Sequence, residues 1–148
     1  MDVIVVPFGG GGMISGIALA MQALGKTPQI IACEIESSTP LKSAKISGKP
    51  VQVARGKSWI DGIGSTSVLP EMWPLLDKLV DDVIVVSHFE AEEALRLLSS
   101  KAHLVSEGAG AVALAAAMRP QFSGKNIVAV ISGGNIDPKT YGEILSRG

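Results

Sequence analysis

An α/β fold, built as an open, mainly parallel, doubly wound sheet with helices on both faces, follows from three features of the sequence. Short Val/Ile-rich runs recur without polar alternation, helical spacings separate them, and glycine turns close two of the runs. Uninterrupted β-branched runs belong to strands buried on both faces. Alternation of such strands with helices belongs to parallel sheets whose crossovers cover those faces.

The first strand is expected at residues 3–6, the run Val3-Ile4-Val5-Val6. The first helix is expected at 13–24, where Met13, Ile14, Ile17, Ala20, Met21 and Leu24 fall at helical spacing. A strand at 29–33 and a helix around 40–47 come next. From Gly48 to Ser67 the chain is polar and glycine-rich, too long for an ordinary connection, and reads as a functional loop or the seat of a missing partner. A helix at 70–78 leads to a strand at 83–86 and a helix at 88–100, which Ser87 and Glu90 open as a capping box. A helix at 107–118, a strand at 126–131 and a helix at 138–146 complete the order, the last begun by Asp137 as N-cap with Pro138 at the first helical position. No repeat or low-complexity linker divides the 148 residues, so one domain is expected, able to bury about 70% of its unfolded surface.

Composition limits the partners. Thirteen Lys and Arg against fourteen Asp and Glu leave no basic face for nucleic acid, and 4% aromatic residues offer few stacking platforms. The single Cys33 excludes an internal disulfide and a cysteine metal cluster; it sits in an apolar run as a packed thiol, which suits a reducing cytoplasm. No apolar run approaches the roughly 18 residues of a membrane span, and MDVIVV enters a strand directly, without a basic leader, so a cytoplasmic protein away from membranes is expected. An apolar content of 47% with 17 glycines is high for a domain of this size and points to a face that expects a partner.

Residues 9–16 read GGGGMISG. Glycine costs chain entropy on folding, so a run of it is kept where φ must be positive or where something approaches the backbone closely. Between a strand and a helix, successive N–H groups backed by the helix dipole form a concave anion site without a charged side chain. The turn therefore reads as a phosphate site, against the plain alternative of a flexible loop. A second glycine turn, Ile131-Ser132-Gly133-Gly134-Asn135, ends the last strand. Ligands of doubly wound sheets lie at the carboxyl ends of strands, so the two turns can converge on one ligand. Gly25-Lys26-Thr27 and Gly56-Lys57-Ser58 are chance matches to the Walker form, since Ala20 and Val51 stand where its first glycine belongs. The dinucleotide fingerprint comes closer: Gly10-x-Gly12-x-x-Ser15, with Glu34 where a ribose-binding acid would fall. Ser15 replaces its third glycine, and the fingerprint gives the far SGGN turn no role. A non-catalytic phosphate- or nucleotide-binding domain stays as the alternative reading.

VPFGGGGMISGIA, IIACE, IDGIG, LVSEGAGAVALAA and VAVISGGNID, in this order, resemble the carboxyl-terminal half of the fold-type II pyridoxal-phosphate enzymes of the threonine and serine dehydratase type, which include serine racemases. The resemblance covers nearly the whole chain and implies part of a tryptophan synthase β-like fold. It implies that Gly9, Gly10, Gly11, Gly12 and Met13 cradle the cofactor phosphate, and that Ser132 and Gly133 also bind the cofactor, Ser132 by a hydrogen bond to the pyridine nitrogen. A neutral hydroxyl there makes the cofactor a milder electron sink, suited to β-elimination; a residue capping its own glycine turn is the simpler role for Ser132. Glu107 matches an acid near the active site, or serves as a charge complementing a helix start. Asp61 and Gly62 match a loop that closes over the cofactor ring. Glu34 matches a carboxylate that helps hold a divalent cation in some relatives, but Pro40 stands where the second acidic ligand is expected.

In that family the lysine that anchors the cofactor lies in the amino-terminal half, with the loop that grips the substrate carboxylate. No lysine of this chain has a matching context, and His88 and His103 read as helix-flank residues without partner spacing. The resemblance thus implies a fragment or half-enzyme of an ammonia-lyase, eliminating across the β-carbon of hydroxy amino acids only when completed by the lysine-bearing half. Pyridoxal phosphate, or phosphate alone, is the expected ligand. A second copy or an amino-terminal half chain is the expected partner.

Overall fold

The structure, a computed structural model, describes residues 1–147. Strand β1 (Val3–Pro7) is buried along its whole length because both of its neighbours are parallel strands and both of its faces are covered. On one side it pairs with β2 (Gln29–Ile35), in register from Val3 opposite Gln29 to Pro7 opposite Cys33. On the other side it pairs with β4 (Ile127–Ala129), Val3 opposite Ile127. Strand β3 (Asp82–Val86) lies outside β2, giving the order β3-β2-β1-β4, all parallel.

The period of two along each strand assigns side chains to two cores. Val3, Val5, Ile31, Cys33 and Ile84 face a layer formed by α4 (His88–Ala102), α5 (Gly108–Ala117) and α6 (Pro138–Ser146). Ile4, Val6, Ile30, Ala32 and Val83 face α1 (Gly12–Ala23), α2 (Pro40–Ser47) and α3 (Trp73–Leu79). Helices therefore cover both faces, and each fully buried Val, Ile or Leu contributes about 1.5–3 kcal/mol. Helix α5, of sequence GAGAVALAAA, is apolar all round, as a helix enclosed by its neighbours must be. Cys33 is wholly buried in this core, and burial pushes its thiol pKa up, so it packs as an inert apolar side chain. Among the described residues no helix is long and apolar enough to cross a membrane.

Element order follows the sequence; most ends move by a residue or two, β2 running on to Ile35 and α4 to Ala102, and three of the differences have a visible cause. The last strand stops at Ala129 rather than at residue 131: the Val130 amide still donates to Val5, but the carbonyl of Gly133 is taken by the amide of Glu107, which draws the chain off the sheet. The third helix begins at Trp73, not at residue 70, with Pro74 in the first turn, where no N–H donor is needed. Helix α5 starts one residue after Glu107, which is its N-cap. The capping box at Ser87 and the Asp137 cap, which accepts from the Thr140 amide, form as expected. The connection from Gly48 to Met72 has neither strand nor helix, yet Ile60, Ile63 and Val68 are buried, so packing orders it where backbone pairing does not.

Helix α2 takes its cap from another element. Its N-cap, Thr39, makes no side-chain capping bond; instead the Glu34 carboxylate, at the end of β2, accepts from the amides of Leu41 (2.7 Å) and Lys42 (3.0 Å). Burial raises the pKa of Glu34 to about 7, outweighing the lowering by these two amides and by the Lys42 charge. The folded state thus holds this proton more tightly than an unfolded chain titrating near 4.5, so stability falls as pH rises from about 4.5 to 7, by about 3 kcal/mol. Urea unfolding across that range should reveal the slope, and Glu34→Gln should flatten it while lowering stability at pH 5 through the lost amide partner.

Candidate functional site

The chain moves from β1 outward through β2 to β3 and then returns to place β4 on the other side of β1. The order reverses between β1 and β4, and in parallel sheets the crevice outside the carboxyl ends at such a point is where ligands sit. A cleft of about 230 Å³ opens there, walled by Gly9 to Ile14 after β1, by Ser132 after β4, by Gly62 and Ile63 of the long connection, and by Glu107 and Ala109 at the start of α5.

Its floor is a row of backbone donors. Phe8 gives its N–H to the Cys33 carbonyl and Ser15 gives its own to Gly11, but no amide from Gly9 through Ile14 finds an acceptor among the described residues. Gly11, the N-cap of α1, has φ +90°, a conformation other residues rarely adopt, and a Cβ there would stand 3.0 Å from Leu76. Gly10 and Gly12 differ: a Cβ on either would meet nothing within 4 Å, so the protein's own packing does not require glycine at these two positions. Together the unpaired amides and the open space beside them suit an anion of phosphate size, which the helix dipole favours at this end of α1.

The opposite wall carries oxygen. Ser132 is exposed, and its hydroxyl makes no hydrogen bond among the described residues. Glu107 is half-buried and its carboxylate likewise has no hydrogen-bond partner there. It lies between two glycines: a Cβ on Gly133 would come within 2.8 Å of its Oε1, and one on Gly62 within 3.0 Å. Gly133 therefore stands behind Glu107 rather than in the cleft wall, and its role visible here is to make room for that carboxylate. Asp61 does not line this cleft. It faces a second one of about 220 Å³ that shares Gly62 and Glu107 as a common wall and adds Ser58, Trp59, Asn135 and Thr140.

Glu34 lies outside both clefts. It is buried and its two oxygens accept from the α2 amides, which is the role visible here. Among the described residues no group of three His, Cys, Asp or Glu side chains is arranged to hold a metal ion. No lysine lines either cleft among the described residues. Sequence reasoning missed the apolar wall of Pro7, Ile14, Ile63 and Ala109, whose residues carry no signal that separates them from core. It also missed the contacts of His88, which bonds Glu36 and Ser58. Both partners lie in other elements, at no spacing a single helix would reveal.

Comparison with known proteins bears on the occupant. A profile of the family described as "Pyridoxal-phosphate dependent enzyme" matches residues 1–133. An L-threonine ammonia-lyase of Thermotoga maritima is 33% identical over 149 residues, covering 100% of this chain and 37% of its own. A serine racemase of Arabidopsis thaliana is 35% identical over 144 residues, covering 93% of this chain and 43% of its own. The solved structure of maize serine racemase superposes with a TM-score of 0.86 at 31% identity, over 99% of this chain and 46% of that one. The chain thus spans less than half the length of each of these three relatives.

The steric contrast among the glycines predicts a contrast in stability. Gly10→Ala and Gly12→Ala should melt at or slightly above the wild-type temperature, because neither methyl group meets an atom and alanine is the better helix former at Gly12. Gly133→Ala, forced against Glu107, and Gly11→Ala, strained in φ, should each lose about 1–3 kcal/mol in denaturant unfolding.

Proposed function

The chain belongs to the pyridoxal-phosphate dependent enzymes, and from that premise we propose that it forms the cofactor-phosphate-binding part of an ammonia-lyase acting on hydroxy amino acids, threonine or serine. The observation that carries this reading is the unpaired row of amides from Gly9 through Ile14, with open space at Gly10 and Gly12. The names of the relatives, L-threonine ammonia-lyase and serine racemase, support the substrate class.

Pyridoxal phosphate, when bound, withdraws electrons from the α-carbon of an amino acid and so eases loss of a group from the β-carbon. In the proposed site the amides of Gly9, Gly10, Gly11, Gly12 and Met13 hold the phosphate as hydrogen-bond donors, reinforced by the α1 dipole. The Ser132 hydroxyl is the partner for the pyridine nitrogen: it offers a neutral hydrogen bond and no countercharge, so it does not keep that nitrogen protonated. Glu107 brings a carboxylate into the same cleft without a competing partner, and Gly62 and Asp61 bound the ring side, Gly62 in the first cleft and Asp61 in the second. Turnover then requires a lysine from a complementary, lysine-bearing segment. The free edge of β4, where Val128 is 43% exposed, is the proposed docking line for that segment or for a second copy of the chain.

Two measurements test the proposal. Calorimetric titration of the full chain with pyridoxal phosphate, and separately with inorganic phosphate, should show binding to both that Gly10→Ala weakens about tenfold without unfolding the protein; undiminished affinity in that variant removes the site. Co-expression with the amino-terminal part of the Thermotoga maritima relative should yield ammonia from L-threonine or L-serine, lost on Ser132→Ala. For the isolated chain, light scattering at micromolar concentration should detect association beyond a monomer. A strict monomer there means that the β4 edge does not attract a second copy.

A further inference from the structure

From Lys57 to Gly64 the chain has neither helix nor strand, yet it supplies Ser58, Trp59, Asp61 and Gly62 to the two cleft walls. Packing holds part of it: a Cβ on Gly108 would stand 2.5 Å from Ile60 and 2.8 Å from Trp59, so these side chains press on the start of α5. Its ends are anchored by the Gly56 amide on the Ser37 carbonyl (2.7 Å) and by Ser65, which donates to the Gly9 carbonyl and accepts from Ser38; between them, among the described residues, one hydrogen bond joins the segment to the rest of the molecule, from Ser58 Oγ to His88 Nε2 at 3.0 Å.

His88 is itself oriented from another element. Glu36, just beyond β2, accepts from the backbone amide of His88 at 2.8 Å and stands 3.1 Å from ring Nδ1. Those two bonds, the amide first, hold the Glu36 carboxyl below its ordinary pKa. A carboxylate opposite Nδ1 keeps the proton on that nitrogen, which makes Nε2 of the neutral ring an acceptor. The Ser58 hydroxyl donates to Nε2, and its oxygen accepts from the Ile60 amide at 3.0 Å. Glu36, His88, Ser58 and Ile60 thus form a directed chain; Ser37 Oγ also approaches Nε2, at 3.5 Å, but the Ser58 hydroxyl at 3.0 Å is the closer donor.

We infer that His88 is a positioning residue for the cleft: fixed by Glu36, it sets the conformation of residues 57–64 through Ser58 and so the place of Gly62 against Gly9 and Glu107. The margin is narrow, since the Gly62 carbonyl lies 3.2 Å from where a Cβ of Gly9 would stand and Gly62 itself approaches the Glu107 carboxylate. His88 touches no ligand. Its bearing on ligand affinity rests on the reading of the first cleft as the cofactor site; its hold on the segment does not.

Limited trypsin digestion of the full chain separates the two, because Arg55 and Lys57 are exposed at the amino-terminal end of the tethered stretch. His88→Ala should speed cleavage at these residues about fivefold, the effect of one lost hydrogen bond on the open population. Ser58→Ala, which alters neither the sheet nor α4, should do the same, and the double variant should be no faster than either single one. His88→Gln, whose amide reaches the position of Nε2, should restore slow cleavage, whereas His88→Asn, which mimics only Nδ1, should not. Pyridoxal phosphate affinity should fall in the fast-cleaving variants and recover in His88→Gln. Wild-type cleavage in His88→Ala, additive effects in the double variant, or rescue by Asn as complete as by Gln would overturn the inference. The cleavage pattern as expected with no binding of pyridoxal phosphate or phosphate by any form, wild type included, supports the tether and removes the cofactor reading instead.

Discussion

The parallel pairing of β4 along the far side of β1 is the constraint on which the molecule depends. It buries β1 between two strands, so that every residue from Val3 to Pro7 can be apolar. Because both strands run the same way, it also delivers their carboxyl ends to the same edge of the sheet. The glycine turn after β1 and the SGGN turn after β4, at opposite ends of the sequence, become facing walls of one cleft. Helix α5 then fits only because its residues are small, and its N-cap, Glu107, is drawn into the cleft by the bond from its amide to the Gly133 carbonyl. Site and core are thus consequences of the same pairing.

The cleft is electrostatically two-sided. One wall offers amide donors and the positive end of a helix dipole with no cationic side chain; the other offers a hydroxyl and an unpaired carboxylate. A simple anion would satisfy the first wall and be repelled from the second. A ligand with an anionic group at one end and polar or cationic groups at the other satisfies both.

The strands were legible because a parallel strand covered on both faces must be β-branched throughout, which is how residues 3–6, 29–33 and 83–86 read. The end of β4 was not, since Val130 and Ile131 look equally strand-like and only the bond from Glu107 to Gly133 ends the ladder. Gly9 to Met13, Gly62, Glu107 and Ser132, named from family-like motifs, meet in one cleft; Asp61 falls in the adjoining one and Glu34 caps α2. Glu34 was ambiguous for a physical reason: a carboxylate at a strand end has the same sequence signature whether it meets a ribose, a cation or, as seen here, two amides seven and eight residues on. The long connection was legible only as a break in pattern, because side-chain burial without periodicity leaves no signal.

Glycines that look alike in sequence divide here into two kinds. Gly11 and Gly133 answer to the fold, one through φ and the other through a carboxylate at 2.8 Å. Gly10 and Gly12 answer to nothing the chain itself contains: each has open space where its side chain would be, and alanine at the first position of α1 would make a firmer helix. In the same stretch the amides from Gly9 through Ile14 have no acceptor among the described residues. A loop selected for stability alone would fill the first and cap the second, as Ser87 and Glu90 do at the start of α4. Forgoing both at one point, beside the strand that organises the sheet, leaves a backbone surface rich in hydrogen-bond donors and suited to a ligand from outside the chain.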